Sequence, residues 1–391
     1  MAAADVADVE AARMNHARHD TMRGRAADVA GVAWDAIVIG AGVAGGTAAC
    51  VAADAGLRVL LVEKSAFPRP KVCGGCLSAR GVRALERAGL GGTLTGSPHL
   101  QSLSLRWGDR RADARFASHR VVARPAFDLA LLHAAADRGV TILQPMAAKV
   151  IDEGQVLLGG DDVATASMVI VCDGLGGTSL SGIKGLAWTI AARSRMGLGA
   201  TLEASASSLA CGTLVMRCCS EGYLGVVRLG DGRLDMAAAI DPATLREGRD
   251  AGSTMAGLFA DGELPAESLA RARWRGTPLL TRRRCRVATA RTMVVGDAAG
   301  YVEPFTGEGM TWAIDGAVEA ASIAARVVRH GGDATAWSHA HERLLMPRRR
   351  ACSVVASVLR SERAARSLVS LAAKFPSIAE RGARLVAGVT A

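Results

Sequence analysis

The residues with the most chemical content here are glycines and carboxylates at fixed spacing. Gly40-Ala41-Gly42-Val43-Ala44-Gly45 follows the apolar run Ala36-Ile37-Val38-Ile39, and Glu63 stands 23 positions after Gly40, closing a second apolar run, Val59-Leu60-Leu61-Val62. A chain turning sharply at Gly40 has no room for a Cβ. Gly42 lets backbone approach a phosphate, and Gly45 lets the next helix sit close on the sheet. That helix start, at Val43 and Ala44, offers free amides and a positive dipole end to an anion. Glu63 falls where a ribose needs a carboxylate acceptor. Far downstream, Met293-Val294-Val295-Gly296-Asp297 and Pro304-Phe305-Thr306-Gly307-Glu308-Gly309-Met310 supply another strand, another acid and another glycine-rich helix start.

These motifs need elements to hold them. Residues 36–39 and 58–62 read as apolar strands, and residues 43–55 as a helix of small side chains ending near Gly56. One ligand held by two helix starts so far apart in sequence must be long, and FAD has that length. Asp297 at a strand end suits a ribityl hydroxyl. A helix beginning near Gly307 aims its positive end at the flavin ring and favours the reduced, anionic form. Glu308 at that start serves either the chemistry or the first helix amides.

With these motifs in place, residues 34 to 330 resemble the flavoprotein reductases and monooxygenases that include geranylgeranyl reductases and p-hydroxybenzoate hydroxylase-like enzymes. Glu63-Lys64 is followed by Lys71-Val72-Cys73-Gly74-Gly75-Cys76, similar to the Lys-x-Cys-Gly-Gly stretch of the geranylgeranyl reductase branch. Arg124, in Val122-Ala123-Arg124-Pro125, resembles the arginine that reaches the flavin nucleotide, and Cys172-Asp173-Gly174 resembles the internal Asp-Gly motif. The resemblance implies cofactor contacts at Lys64, Lys71, Arg124, Asp173, Gly296, Asp297 and Pro304, and at the helix start Gly307, Glu308, Gly309 and Met310. The fold it implies is α/β: a discontinuous Rossmann-type FAD-binding domain, an antiparallel-sheet substrate domain and a C-terminal helical segment.

The reaction is less specified. The Lys71–Gly75 stretch favours a reductase acting on C=C bonds of a hydrophobic substrate. The alternative is a monooxygenase hydroxylating an aromatic, quinone or polyketide-type substrate, and a third reading is a flavin electron carrier without turnover. Prenyl reductases of the family carry Tyr-x-Trp-x-Phe-Pro on the substrate sheet, whereas this chain has Tyr223-Leu224-Gly225-Val226-Val227-Arg228, so an aromatic floor is expected to be missing. The tryptophan-rich signature of flavin halogenases is absent as well. No second strand-linked G-x-G-x-x-G is present, so reduction is expected by transient docking of NAD(P)H or by another electron donor. Cys73, Tyr223 and Glu308 are the candidate proton donors.

Of 391 residues, half are hydrophobic but only 4% aromatic, so the core must be built from Ala, Val and Leu. No apolar run reaches the ~18 residues that span a bilayer. Nine dispersed cysteines, an odd count, argue against a secreted disulfide framework. Cys73 and Cys76 form a C-x-x-C with no second pair at zinc-ligand spacing, so no metal is expected; the pair reads as redox-active or, as the resemblance implies, as a glycine-cysteine loop near the flavin. Residues 1–30 read as a disordered extension. Residues 31–95, 120–185 and 285–330 should build the FAD domain, and residues 96–119 and 186–284 the substrate sheet, with a hairpin turning at Gly230-Asp231-Gly232. Residues 331–391 form a basic helical segment; from 340 onward ten Lys or Arg face three Glu. Its bland reading is a helical subdomain with a solvated basic face, and its functional one a cap over a greasy substrate or an anionic membrane. The basic residues lack interleaved aromatics, which argues against nucleic acid. A cytoplasmic address with peripheral membrane contact is the expectation.

Overall fold

The computed structural model describes residues 24–245, 250–303, 305 and 307–375. One sheet runs in the order Thr141–Leu143, Val59–Val62, Ala33–Ile39, Asp162–Val171, Gln155–Leu158 and Ala148–Asp152, and Thr292–Val294 joins it beside Asp162–Val171. Its central pairs are parallel. Val59–Val62 is buried throughout, as a strand covered by helices on both faces must be. One cover is the helix Val43–Asp54, whose run of Gly and Ala lets three neighbours close in at once. A Cβ on Gly46 would come within 2.9 Å of Leu131 in the helix Arg124–Ala136, and the long helix Gly309–His330 packs on another side.

The second sheet has eight strands, ordered Arg275–Leu279, Met196–Leu202, Leu234–Ile240, Gly222–Arg228, Thr213–Cys218, His99–Trp107, Arg110–Val121 and Cys76–Leu77. The expected hairpin is present, joining Gly222–Arg228 to Leu234–Ile240 through Gly232 at φ 86°. Residues 99–121 form one long hairpin. One expectation changes: the sheet is not wholly antiparallel, since Thr213–Cys218 pairs parallel with His99–Trp107. These strands come from the two separate insertions, so no tight turn joins them and nothing forces an antiparallel pair.

Ala26–Ala30, expected within a disordered extension, is a short helix; the Trp34 indole donates to Val29 O at 3.0 Å and ties it to the first strand. Residues 1–23 and 376–391 lie outside the described residues. The C-terminal segment bridges the two sheets. The helix Ala336–Val358 continues through Pro347, and its Trp337 is fully buried, donating from Nε1 to Val294 O at 2.9 Å beside Gly316. The next helix, Glu362–Lys374, lies on the second sheet, burying Ala365, Val369 and Ala372 beside Leu100 and Trp107. No helix among the described residues is long and apolar enough to cross a membrane.

Trp337 therefore anchors the tail to the first sheet. Trp337→Ala should cost about 3–5 kcal/mol in denaturant unfolding, through lost burial and a carbonyl left without its donor. A loss below about 1 kcal/mol would mean the tail is not so anchored.

Candidate active site and cofactor groove

The first glycine turn is dictated by contacts. At Gly40, φ is 96° and an added Cβ would lie 2.6 Å from Cys172 O; at Gly45 it would lie 1.7 Å from Gly40 O. Gly42 caps the helix Val43–Asp54 without a side-chain hydrogen bond, so its first amides stay free for a ligand. A Cβ on Gly42 would sit 3.7 Å from Lys71 Nζ, 3.8 Å from an Arg69 Nη and 3.9 Å from an Arg124 Nη. Three cations thus converge on the positive end of a helix. Arg124 is held by a bidentate contact with Asp128 at 2.8 Å, and Arg69 by Glu63 at 3.2 Å. Lys71 has no ion pair within 4 Å among the described residues. Burial, then the neighbouring Arg124, lowers its pKa, against the pull of Asp297. Such a cluster is unfavourable by itself and suits a pyrophosphate, whose charge would neutralise it.

The Glu63 carboxylate accepts from the amides of Ala41 (2.8 Å) and Ser65 (3.0 Å), an orientation in which it could meet ribose hydroxyls, and Lys64 lines the same groove from an exposed position. Asp173 accepts from the Ser179 amide and hydroxyl through one oxygen, while its other oxygen is buried with no partner among the described residues. A hydroxylated ligand would supply the missing donor.

The second turn meets the first directly. Gly296, at φ 68°, backs onto Ala44, where an added Cβ would come within 3.0 Å of the alanine methyl. Asp297, Gly307, Gly309 and Met310 line the same cavity as Gly40, Gly42, Val43 and Ala44. Gly45 and Gly296 support it from behind. The long helix starts at Gly309. Glu308 departs from expectation: its carboxylate makes no cap bond and does not line the cavity, but turns away among buried groups. Pro304 lies outside the described residues.

The cavity, about 520 Å³, continues from this groove onto the second sheet. Two cross-strand rows form the floor there: Gly197, Ala239 and Tyr223, then Gly199, Ala237, Gly225 and Met216. The segment Lys71–Cys76 lies on those small residues, and a Cβ on Gly199 would press within 2.8 Å of Val72. The expected lack of aromatic rings is made good from elsewhere. Tyr301 and Phe305, from the second turn, line the chamber, and Phe305 meets Tyr223 edge-on at 5.1 Å. Arg195 lies 5.8 Å over the Tyr223 ring and pairs with buried Glu303, which also holds Arg360 at 3.3 Å.

Burial raises the phenols of Tyr223 and Tyr301 well above their usual pKa, with Glu303 adding to the effect at Tyr223. Burial also raises the Cys73 thiol, although Arg124 beside it pulls the other way. All three are therefore neutral donors. Cys76 is likewise raised by burial, and both cysteines are free, so the C-x-x-C has no thiolate to start a redox exchange. Among the described residues no cluster suits a metal. Sequence reasoning missed Arg69, although residues 69 and 71 alternate toward one side of an extended segment. It missed Tyr301, Phe305, Arg195 and Glu303, which only tertiary packing brings together.

Residues 35–170 match the family model described as FAD dependent oxidoreductase. A menaquinone reductase of Mycolicibacterium smegmatis is 29% identical over 344 residues, covering 80% of each chain. Among solved structures, a geranylgeranyl bacteriochlorophyll reductase-like protein of Thermoplasma acidophilum has a TM-score of 0.73 at 19% identity, covering 90% of this chain and 96% of its own. A flavin-dependent brominase has a TM-score of 0.75 at 18% identity, with 91% and 94% covered. The fold is thus shared by proteins named for different reactions.

Gly42→Val should abolish flavin retention, because the side chain would fill the space under the three cations; a variant that purifies fully yellow would refute the assignment. Glu63→Ala should weaken FAD binding by about 1–3 kcal/mol in a fluorescence titration, as its charge-assisted bonds and its hold on Arg69 are lost. The two glycine turns are in contact, cations gather at the first, and the family match over residues 35–170 takes in that first turn; together with the similarity to a menaquinone reductase, these findings support an enzyme of the FAD-dependent oxidoreductase kind.

Proposed function

We propose that the protein reduces a C=C bond of a hydrophobic, quinone-type substrate. The observation that carries this reading is the chamber's chemistry. Leu214, Met216, Ala237, Ala239 and Phe305 give it apolar walls, Tyr223, Tyr301 and Cys73 offer protons from neutral groups, and no carboxylate lines its substrate side among the described residues. Reduced FAD supplies hydride to such a bond. The apolar walls exclude water and orient the substrate. Tyr223 holds the proton that the second carbon needs, fixed by Phe305 on one edge and Arg195 over its face. The name of the mycobacterial relative supports a quinone. A carrier has no need of so roomy a chamber.

NAD(P)H is the proposed reductant, docking transiently. The proposed source of substrate is a bilayer. Val354, Leu368, Leu371 and Phe375 are exposed on or beside the C-terminal helices, with exposed Arg363 and Lys374 near them, a composition suited to an anionic lipid surface.

The reading is tested with the FAD-loaded protein, a menaquinone in detergent, and NADPH or NADH as donor, without oxygen. The expected product keeps a gain of two hydrogens after its ring has been reoxidised to the quinone, read by mass spectrometry; a gain lost on reoxidation is only quinol and would overturn the C=C reading. Gain of one oxygen atom when air is admitted, with no anaerobic product, would transfer the assignment to a monooxygenase. Electron exchange with no product at all would leave a carrier.

A further inference from the structure

Glu308 is buried and has no place in the chemistry described so far. It sits between Gly307 and Gly309, both of which line the cofactor groove, at the start of the helix Gly309–His330. Its side chain has 0% exposure, and among the described residues neither carboxylate oxygen has a hydrogen-bond partner. Three charged groups face it. Asp315 comes from its own helix, Arg80 from the helix Ala79–Arg87 and Arg348 from the C-terminal segment. Both arginines are already engaged, each 2.8 Å from the Asp315 carboxylate. The nearby Ser78 hydroxyl is engaged too, 2.8 Å from Thr311 Oγ1. Glu308 is therefore ringed by polar groups committed to one another.

We infer that Glu308 is the group that takes up a proton when the bound flavin is reduced, positioning the charge balance of the site without touching substrate. The inference rests on the FAD reading. Hydride from a nicotinamide dinucleotide carries two electrons and one proton to FAD and adds one negative charge against the Gly307–Met310 turn. That charge raises the proton affinity of a carboxylate in the same turn. Glu308 then binds one proton from solvent, giving a neutral carboxylic acid, and the added charge is cancelled. On reoxidation the proton leaves. Burial holds the group near the threshold, pushing its pKa from 4.5 up to about 7 against the opposing pull of Ser78 and Arg348.

The test is the midpoint potential of bound FAD between pH 6 and 9. A tenfold change in a two-electron equilibrium is about 30 mV, so each proton taken up adds about 30 mV per pH unit. Wild type should fall by about 60 mV per pH unit above pH 7, and Glu308→Gln by about 30 mV. Equal slopes in the two proteins would overturn the inference while leaving the FAD reading intact; a wild-type protein that binds no FAD would sink that reading itself.

A second measurement needs no cofactor. The folded-state pKa of Glu308 lies above its unfolded value. Its stabilising contribution is thus complete below about pH 4.5 and lost as pH rises through 7. Relative to Glu308→Gln, the folding equilibrium constant of the apoprotein should fall about thirtyfold between pH 5.5 and 8.5. A flat difference would remove the proton site and the proposal with it.

Discussion

Three like charges gathered around the positive end of one helix, one buried and two half-buried, are a constraint that the fold must satisfy. Lys71, Arg69 and Arg124 come from two distant segments, and the helix start they surround comes from a third. Asp128 and Glu63 orient and partly neutralise the two arginines but leave Lys71 over. In water such a group would spread apart. Here the sheet order fixes it, because the strands ending at Ile39 and Val62 are neighbours. A bound pyrophosphate relieves the repulsion only in the folded arrangement, so cofactor binding and fold stability are linked.

The same short segment carries the second half of the site. From Lys71 the chain runs through Val72 and Cys73 to Cys76, lying on the glycines and alanines of the second sheet. Phosphate charge and chamber thiol are set by one stretch of backbone, only two residues apart. Gly75, at φ 63°, closes down on Asp235, whose carboxyl burial pushes up to about 7 despite the attraction of Arg124. Desolvation acts with opposite results on the two kinds of group. It keeps phenols and thiols protonated in the chamber, and it lowers the proton affinity of Lys71 unless an anion arrives.

What could be read from the sequence follows from locality. The turn at Gly40–Gly45, the strand to Glu63 and the second turn at Gly296 each compress their physics into a few adjacent residues, and all three fell where expected. Glu308 was misjudged because a helix-start acid looks the same in sequence whether it turns toward the groove or away. Tyr301 and Phe305 carried no signal of their own, since the chamber they line belongs to a sheet built from residues 99–121 and 196–279. The parallel strand pair could not be seen either, because register between two separate insertions is a tertiary matter.

The basic tail shows how far a charge run can mislead. Arg348-Arg349-Arg350 reads as a solvated cluster, yet Arg348 pairs with Asp315 and Arg349 donates to Gly300 O at 2.7 Å. Burial lowers the Arg349 pKa to about 10. Two of the three are thus structural ties to the cofactor domain, and Arg360 adds a third tie at Glu303, two positions before Phe305. Beyond it, the helix Glu362–Lys374 is fixed to the substrate sheet, with Arg110 donating to Arg366 O at 3.2 Å. A segment attached to both halves resists any change in their separation, and the chamber lies between those halves. Arg348, Arg349 and Arg360 are spent on holding the chamber's width, and the tail's exposed residues remain for an external partner.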